Sequence, residues 1–207
     1  MSDFNVPDTT SSALKKAARA SAPRCLLALL LIALIFPPGP ASTVAAEERA
    51  MTLTLTSQAF RQNGEIPPQH TCQGADVSPP LAWSGVPSNA KSLALIVDDP
   101  DAPDPAAPKM TWVHWLLYNI PPTAIGLPEG AAAGGLPGGT LEGTNDFGRA
   151  AYGGPCPPVG RHRYFHKLYA LDTVLPDLKS PSKAALEKAM QGHVLAHAEL
   201  IGTYHKR

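Results

Sequence analysis

From Met51 the chain reads Met-Thr-Leu-Thr-Leu-Thr. Strict alternation of this kind puts Leu53 and Leu55 on one face of a strand and the threonines on the other, so a half-buried strand is predicted to open a domain. Ser92 to Val97 is almost wholly apolar and runs into Asp98, Asp99 and Pro100. That is the pattern of a strand covered on both faces, with carboxylates where it ends in a polar loop. Thr111 to Ile120 predicts a third strand whose alternation sets Trp112, His114, Leu116 and Tyr118 on one face. Pro121 and Pro122 stop it, and the Gly-rich stretch 126–143 holds too few apolar anchors to be anything but a mobile loop. Arg163 to Leu171 predicts a fourth strand, with His162, Tyr164 and His166 on one side and Arg163 and Phe165 on the other. Ser180-Pro181 reads as N-cap and first residue of a helix through Lys183 to Gln191, which Gly192 ends. Val194 to Tyr204, the last apolar stretch, either continues the helix or forms a closing strand, and the strand is the preferred reading. The pattern as a whole is mainly β with one short C-terminal helix.

The first fifty residues differ in kind. Lys15, Lys16, Arg19 and Arg24 precede an unbroken apolar run from Leu26 to Phe36, followed by Pro37, Pro38, Gly39 and Pro40 and then small residues through Ala46. Basic region, apolar core and small-residue exit, in that order, describe a secretory signal peptide. The run is short of the roughly 20 apolar residues a permanent span requires. The chain therefore divides into a leader over 1–46 and a domain over 47–207, with cleavage expected after Ala46. An uncleaved N-terminal anchor is the alternative, in which case this segment is the chain's one contact with a membrane. The expected location is periplasmic or secreted.

Charge narrows the function classes. The 207 residues hold 17 basic and 17 acidic side chains, so no long-range field gathers a polyanion and a nucleic-acid partner is not expected. The 23 prolines and 17 glycines, scattered between apolar runs, suit a β protein with many turns.

Three segments carry ionisable residues where a β core wants apolar ones: Asp98-Asp99-Pro100-Asp101-Ala102-Pro103, Trp112-Val113-His114-Trp115, and Gly153-Gly154-Pro155-Cys156-Pro157-Pro158-Val159-Gly160-Arg161-His162-Arg163-Tyr164. Together with Thr71-Cys72, the run Ser78 to Pro87 and Gly143-Thr144-Asn145-Asp146-Phe147-Gly148, they resemble the phosphatidylethanolamine-binding family. Within it the likeness is to the small bacterial, Raf kinase inhibitor-like (YbhB/YbcL-type) branch, over nearly the whole span from Met51 to Lys206. The resemblance implies a β-sandwich of two antiparallel sheets with Greek-key-like connections. It also implies a ligand pocket formed by Asp99, His114, Gly154, Pro155, Cys156, His162 and Tyr164, with Asp101 near its mouth. The chemistry agrees: imidazoles and a phenol donate to phosphoryl or carboxylate oxygens, a carboxylate behind one imidazole fixes its tautomer, and amides around Gly153 and Gly154 add donors without net charge.

The expected function is non-catalytic capture of a small phosphorylated or carboxylate ligand, such as a phosphoethanolamine-like group, phosphate or acetate. Modulation of a partner enzyme, in the manner of a kinase or protease inhibitor, is implied by the resemblance. No cofactor and no metal are called for. An alternative is a metal-dependent phosphoester hydrolase using the two histidines and an aspartate, which resemble a facial triad. The Trp112–Trp115 block lacks paired metal-ligand spacing and Ser84 lacks a nucleophile-elbow context, both of which weigh against an enzyme. A purely structural or assembly role is a third reading. Removal of the leader leaves Cys72 and Cys156, an even number in an oxidising compartment, which suggests a disulfide; two buried free thiols are the alternative. Cys25, before the apolar run, is given no role.

Overall fold

The computed structural model describes residues 52–207, all within one compact unit. The leader, its cleavage point and the anchor alternative lie outside the described residues.

Alternation along the strands builds two sheets. We number the strands β1 (Thr54–Thr56), β2 (Gly64–Glu65), β3 (Leu81–Ser84), β4 (Ser92–Ala102), β5 (Met110–Ile120), β6 (Gly126–Leu127), β7 (Leu141–Glu142), β8 (Arg161–Leu171) and β9 (Val194–His205), with one α-helix among the described residues, α1 (Lys183–Met190). The small sheet has the order β1-β3-β6 and the large one β2-β9-β8-β4-β5-β7. Pairing is antiparallel throughout except between β2 and β9, which are parallel, a departure from the all-antiparallel expectation.

Each face of the large sheet carries its own apolar cluster. Leu93, Leu95 and Val97 of β4 join Trp115 and Leu117 of β5, Tyr164 and Leu168 of β8, and Leu55, Leu81, Trp83 and Leu127 of the small sheet. Ala94 and Ile96 point the other way, to Val113, Leu116 and Tyr118 and to Leu186 and Met190 of α1. Leu186 and Met190 stand four apart, one helical turn, so both fall on the buried stripe. The described domain is thus three layers: small sheet, large sheet, helix.

Four expectations need correction. The helix is capped by Ser182, whose hydroxyl accepts from the Ala185 N–H at 3.4 Å; Ser180 has a left-handed φ of 57° and stands outside it. The Gly-rich stretch is not a bare loop: β6, a 3-10 turn over Ala131–Ala133 and β7 interrupt it, and Leu127 and Ala131 are buried core residues. Two anchors suffice because the sheet edges supply the backbone partners. Third, β4 does not end at Val97 but runs on through Ala102, so Asp98 and Asp99 lie inside a strand.

The fourth concerns β5. Val97 pairs with Trp115 and Asp98 with Val113, one step in β4 against two in β5. His114 is the extra residue of a β-bulge, a device that re-aims side chains beside functional clefts. Leu116 and Tyr118 therefore pack toward α1, while the His114 ring meets Tyr164 edge-on at 5.1 Å on the other side. The single-face set of Trp112, His114, Leu116 and Tyr118 does not exist.

Candidate functional site

The bulged end of the large sheet is where its polar residues gather. A cavity of about 280 Å³ there is lined by Asp99, His114, Cys156, His162 and Tyr164, with Ala102, Pro103, Met110, Trp112, Phe147, Pro157 and Pro158 completing its walls. β4 supplies Asp99, β5 supplies Trp112 and His114, and β8 supplies His162 and Tyr164.

Asp99 Oδ2 lies 2.7 Å from His162 Nδ1, and Asp99 Oδ1 accepts from the Asp101 N–H at 2.8 Å, closing an Asx-type turn over Pro100. The opposite nitrogen of His162, Nε2, lies 2.9 Å from the Val159 carbonyl. Both ring nitrogens therefore face oxygen. His162 shapes the wall but has no nitrogen left for a ligand, which corrects its role as a donor to one. The metal-hydrolase alternative would require breaking one of these bonds to free a ring nitrogen, and among the described residues no three His, Cys, Asp or Glu side chains cluster as metal ligands.

His114 Nδ1 lies 2.6 Å from the Gly153 carbonyl, and the Gly153 N–H donates back to the His114 carbonyl at 3.0 Å. Nε2 is the ring's one hydrogen-bonding atom without a partner among the described residues. Burial pushes the imidazole below its ordinary value, against the pull of the Gly153 bond and of Asp99, Asp98 and Asp146, so the ring is neutral near pH 7. Tyr164 is 1 % exposed, and its hydroxyl has no hydrogen-bond partner among the described residues. Burial and then the Asp99 charge raise the phenol well above its usual value, so it remains a protonated donor. Asp99 is close enough to act on this hydroxyl, yet no acceptor among the described residues meets it in hydrogen-bond geometry.

Three residues read from the sequence as ligand-binding stand behind the cavity. Asp101 is clamped by Arg163, whose Nε and Nη2 donate at 2.9 and 2.7 Å and whose backbone N–H adds a third bond at 2.9 Å. That guanidinium holds the carboxyl below its ordinary value. The Gly154 N–H donates to Asp76 Oδ1 at 2.6 Å, and with Gly153 engaged by His114 neither glycine amide is free to cradle an anion. Glycine is required at 154 for another reason: a Cβ there would sit 2.5 Å from the His70 carbonyl. Pro155 is buried outside the lining.

What holds the cavity loop is the segment 70–77. Cys72 and Cys156 are joined by a disulfide with a Cα–Cα separation of 5.4 Å. The Cys72 N–H donates to the Pro155 carbonyl at 3.1 Å and the Tyr152 hydroxyl to the His70 carbonyl at 2.8 Å.

Asp76 and Asn145 escaped the sequence reading. Asn145 is buried; its amide donates to the His114 and Ala151 carbonyls, and its oxygen accepts from the Phe147 and Arg149 N–H groups. The Gly143–Gly148 block was visible as sequence, but nothing in it said that it buttresses His114. Phe147, 40 % exposed, meets the rings of Trp112 and His114 edge-on at 5.5 Å and forms an apolar rim with half-exposed Met110. Trp83 and Trp115 are core, and only Trp112 reaches the cavity. His166 is buried against Phe60, away from it.

A family model described as phosphatidylethanolamine-binding protein matches residues 56–205. The UPF0098 protein of Methanothermobacter thermautotrophicus is 52% identical over 155 residues, 74% of this chain and 99% of that one. Among solved structures, a PEBP homologue from Chlamydia trachomatis superposes with a TM-score of 0.70 at 45% identity, covering 76% of this chain and 99% of its own. YbcL of E. coli, titled a new member of the mammalian PEBP family, gives 0.68 at 36%, covering 75% and 99%.

Proposed function

The chain belongs to the phosphatidylethanolamine-binding protein family, and on that premise we propose that it captures a phosphate-like or carboxylate anion in the cavity between Asp99, His114 and Tyr164, without chemical change to the ligand. One observation carries the reading: the Tyr164 hydroxyl is a buried donor on the cavity wall with no acceptor. An unmet buried hydroxyl costs roughly 1–3 kcal/mol, and a ligand oxygen that accepts from it removes that cost. The apolar rim of Met110, Trp112 and Phe147 suits a small organic group attached to the anion.

We further propose that the domain is exported. The basic-apolar-small order of residues 1–46 supports this, and the Cys72–Cys156 disulfide suits an oxidising compartment. Modulation of a partner enzyme, kinase or protease, is part of the same proposal and rests on the family likeness; a partner would present its acidic or phosphorylated group to this cavity.

Calorimetric titration of inorganic phosphate and acetate into the full chain tests the reading. Saturable binding that weakens in Tyr164→Phe by about 1 kcal/mol, the worth of one net hydrogen bond, is expected. Identical affinity in Tyr164→Phe would remove the phenol from the site.

A further inference from the structure

The donors and acceptors on the cavity walls decide which protonation state of an oxyacid fits. Because His114 Nδ1 faces a carbonyl oxygen at 2.6 Å, the neutral ring keeps its proton there and presents a lone pair at Nε2. Burial favours that state, against the pull of the acids nearby. From β4 come Asp98 and Asp99, and Asp146 lies in the loop after β7; Asp98 is bound by Lys167 and Lys183, and Asp99 by His162. From β8 come Tyr164, whose ring meets His114 edge-on, and His166, which burial keeps neutral down to about pH 4. Arg149, the cation next to Phe147, is bound to Asp76. Among the described residues no unpaired cation lines the cavity.

The walls thus offer two acceptors, His114 Nε2 and the Asp99 carboxylate, and one unpartnered donor, the Tyr164 hydroxyl. A fully deprotonated oxyanion is acceptor only, and would set its lone pairs against two others. An oxyacid that retains one proton matches both kinds of wall.

Resting on the anion-site reading, we propose that this cavity selects oxyacids that still carry a hydroxyl, namely the monoanion of a phosphate monoester or an undissociated carboxylic acid. The ligand O–H donates to His114 Nε2 while a second ligand oxygen accepts from Tyr164. Sulfate esters and phosphodiesters of the same charge are disfavoured because they have no proton to give. Sites built around a ligand hydroxyl discriminate strongly against analogues that lack it, since the protein's polar group is then left unpaired.

Three probes of equal charge separate hydrogen bonding from electrostatics: methyl phosphate, methyl sulfate and dimethyl phosphate. All are monoanions at about pH 5, and only methyl phosphate has a hydroxyl, its second ionisation lying near about 6. Calorimetric titration into the full chain is expected to show methyl phosphate at least about tenfold tighter than the other two. Its affinity should fall by about tenfold per pH unit above its second ionisation. In His114→Asn, whose amide can donate as well as accept, the gap between methyl phosphate and methyl sulfate should shrink to about threefold or less. Equal affinity for the three probes, or methyl sulfate gaining affinity at low pH as steeply as methyl phosphate, overturns the proposal and leaves the anion site standing. An unchanged gap in His114→Asn overturns Nε2 as the acceptor. Absence of binding by all three overturns the anion site itself.

Discussion

Asp98 and Asp99 are neighbours in β4, and alternation sends them to opposite faces of the large sheet. Asp98 follows Ala94 and Ile96 toward α1, where Lys167 Nζ donates to its carboxylate at 3.0 Å and Lys183 Nζ lies 2.9 Å from the same oxygen. Asp99 follows Leu93, Leu95 and Val97 toward the small sheet, where His162 pairs with it and the nearby Tyr164 hydroxyl is left unbonded at a cavity. Two buried carboxylates, one residue apart, thus serve different ends. One is flanked by two lysines on the helix side, of which Lys183 belongs to α1 and fastens it to the sheet; the other is bonded to His162 beside open space. An unmet buried atom is not enough to mark a site, since Asp98 Oδ1 and His166 Nε2 also lack a hydrogen-bond partner; what sets the Asp99 side apart is an unmet donor, the Tyr164 hydroxyl, on the wall of a cavity.

Four perturbations break or sharpen that contrast. The largest acts on the cavity side: replacing Cys72 and Cys156 together by Ala frees a loop whose ends are 84 residues apart. It should lower unfolding free energy by about 4 kcal/mol and also weaken phosphate binding, both read by denaturant melts and calorimetry. On the helix side, Asp98→Ala leaves two lysines facing an apolar layer and should cost about 3 kcal/mol of stability while phosphate affinity stays the same; a loss of affinity would mean the two faces are coupled.

Acid sensitivity is the third test. Burial holds His166 down to about 4 in the folded chain, below the ordinary imidazole value of about 6.5. The unfolded chain therefore takes up the proton first as pH falls. The stability that the neutral ring contributes is complete above about pH 6.5 and is lost down to about pH 4, reaching roughly 3 kcal/mol there. His114 acts in the same direction. In His166→Leu the slope of unfolding free energy over that window should flatten, and an unaltered slope would show that other groups govern acid unfolding. The smallest effect has two signs: Tyr164→Phe should leave the unliganded protein unchanged or stabilised by up to about 1 kcal/mol, because an unmet buried hydroxyl is gone. Phosphate affinity in the same variant falls. A core tyrosine without a ligand role would not show that opposition.

Much of this was legible in the chain. Period-two alternation identified β1 and β8, the last apolar stretch left helix and strand both open and proved to be strand, and the separated Asp99, His114 and His162–Tyr164 blocks marked the segments that meet at the cavity. Asp101, Gly154 and Pro155 were read as lining because proximity in sequence to the site residues cannot distinguish a wall from its support. Arg163 reaches Asp101, and Asp76 reaches Gly154, across 62 and 78 residues.

Local order in the chain determined the β character, the helix stripe of Leu186 and Met190, and which face most strand residues take, because those follow from the fixed periods of helix and strand. Tertiary structure alone decided the rest. The bulge at His114 depends on register against β4, and the engagement of both His162 nitrogens depends on where Val159 and Asp99 arrive. The Tyr164 hydroxyl is without a partner only because packing brings no acceptor to it. Hydrogen-bond satisfaction is a property of atoms brought together from distant positions, so no single segment of the sequence can encode it.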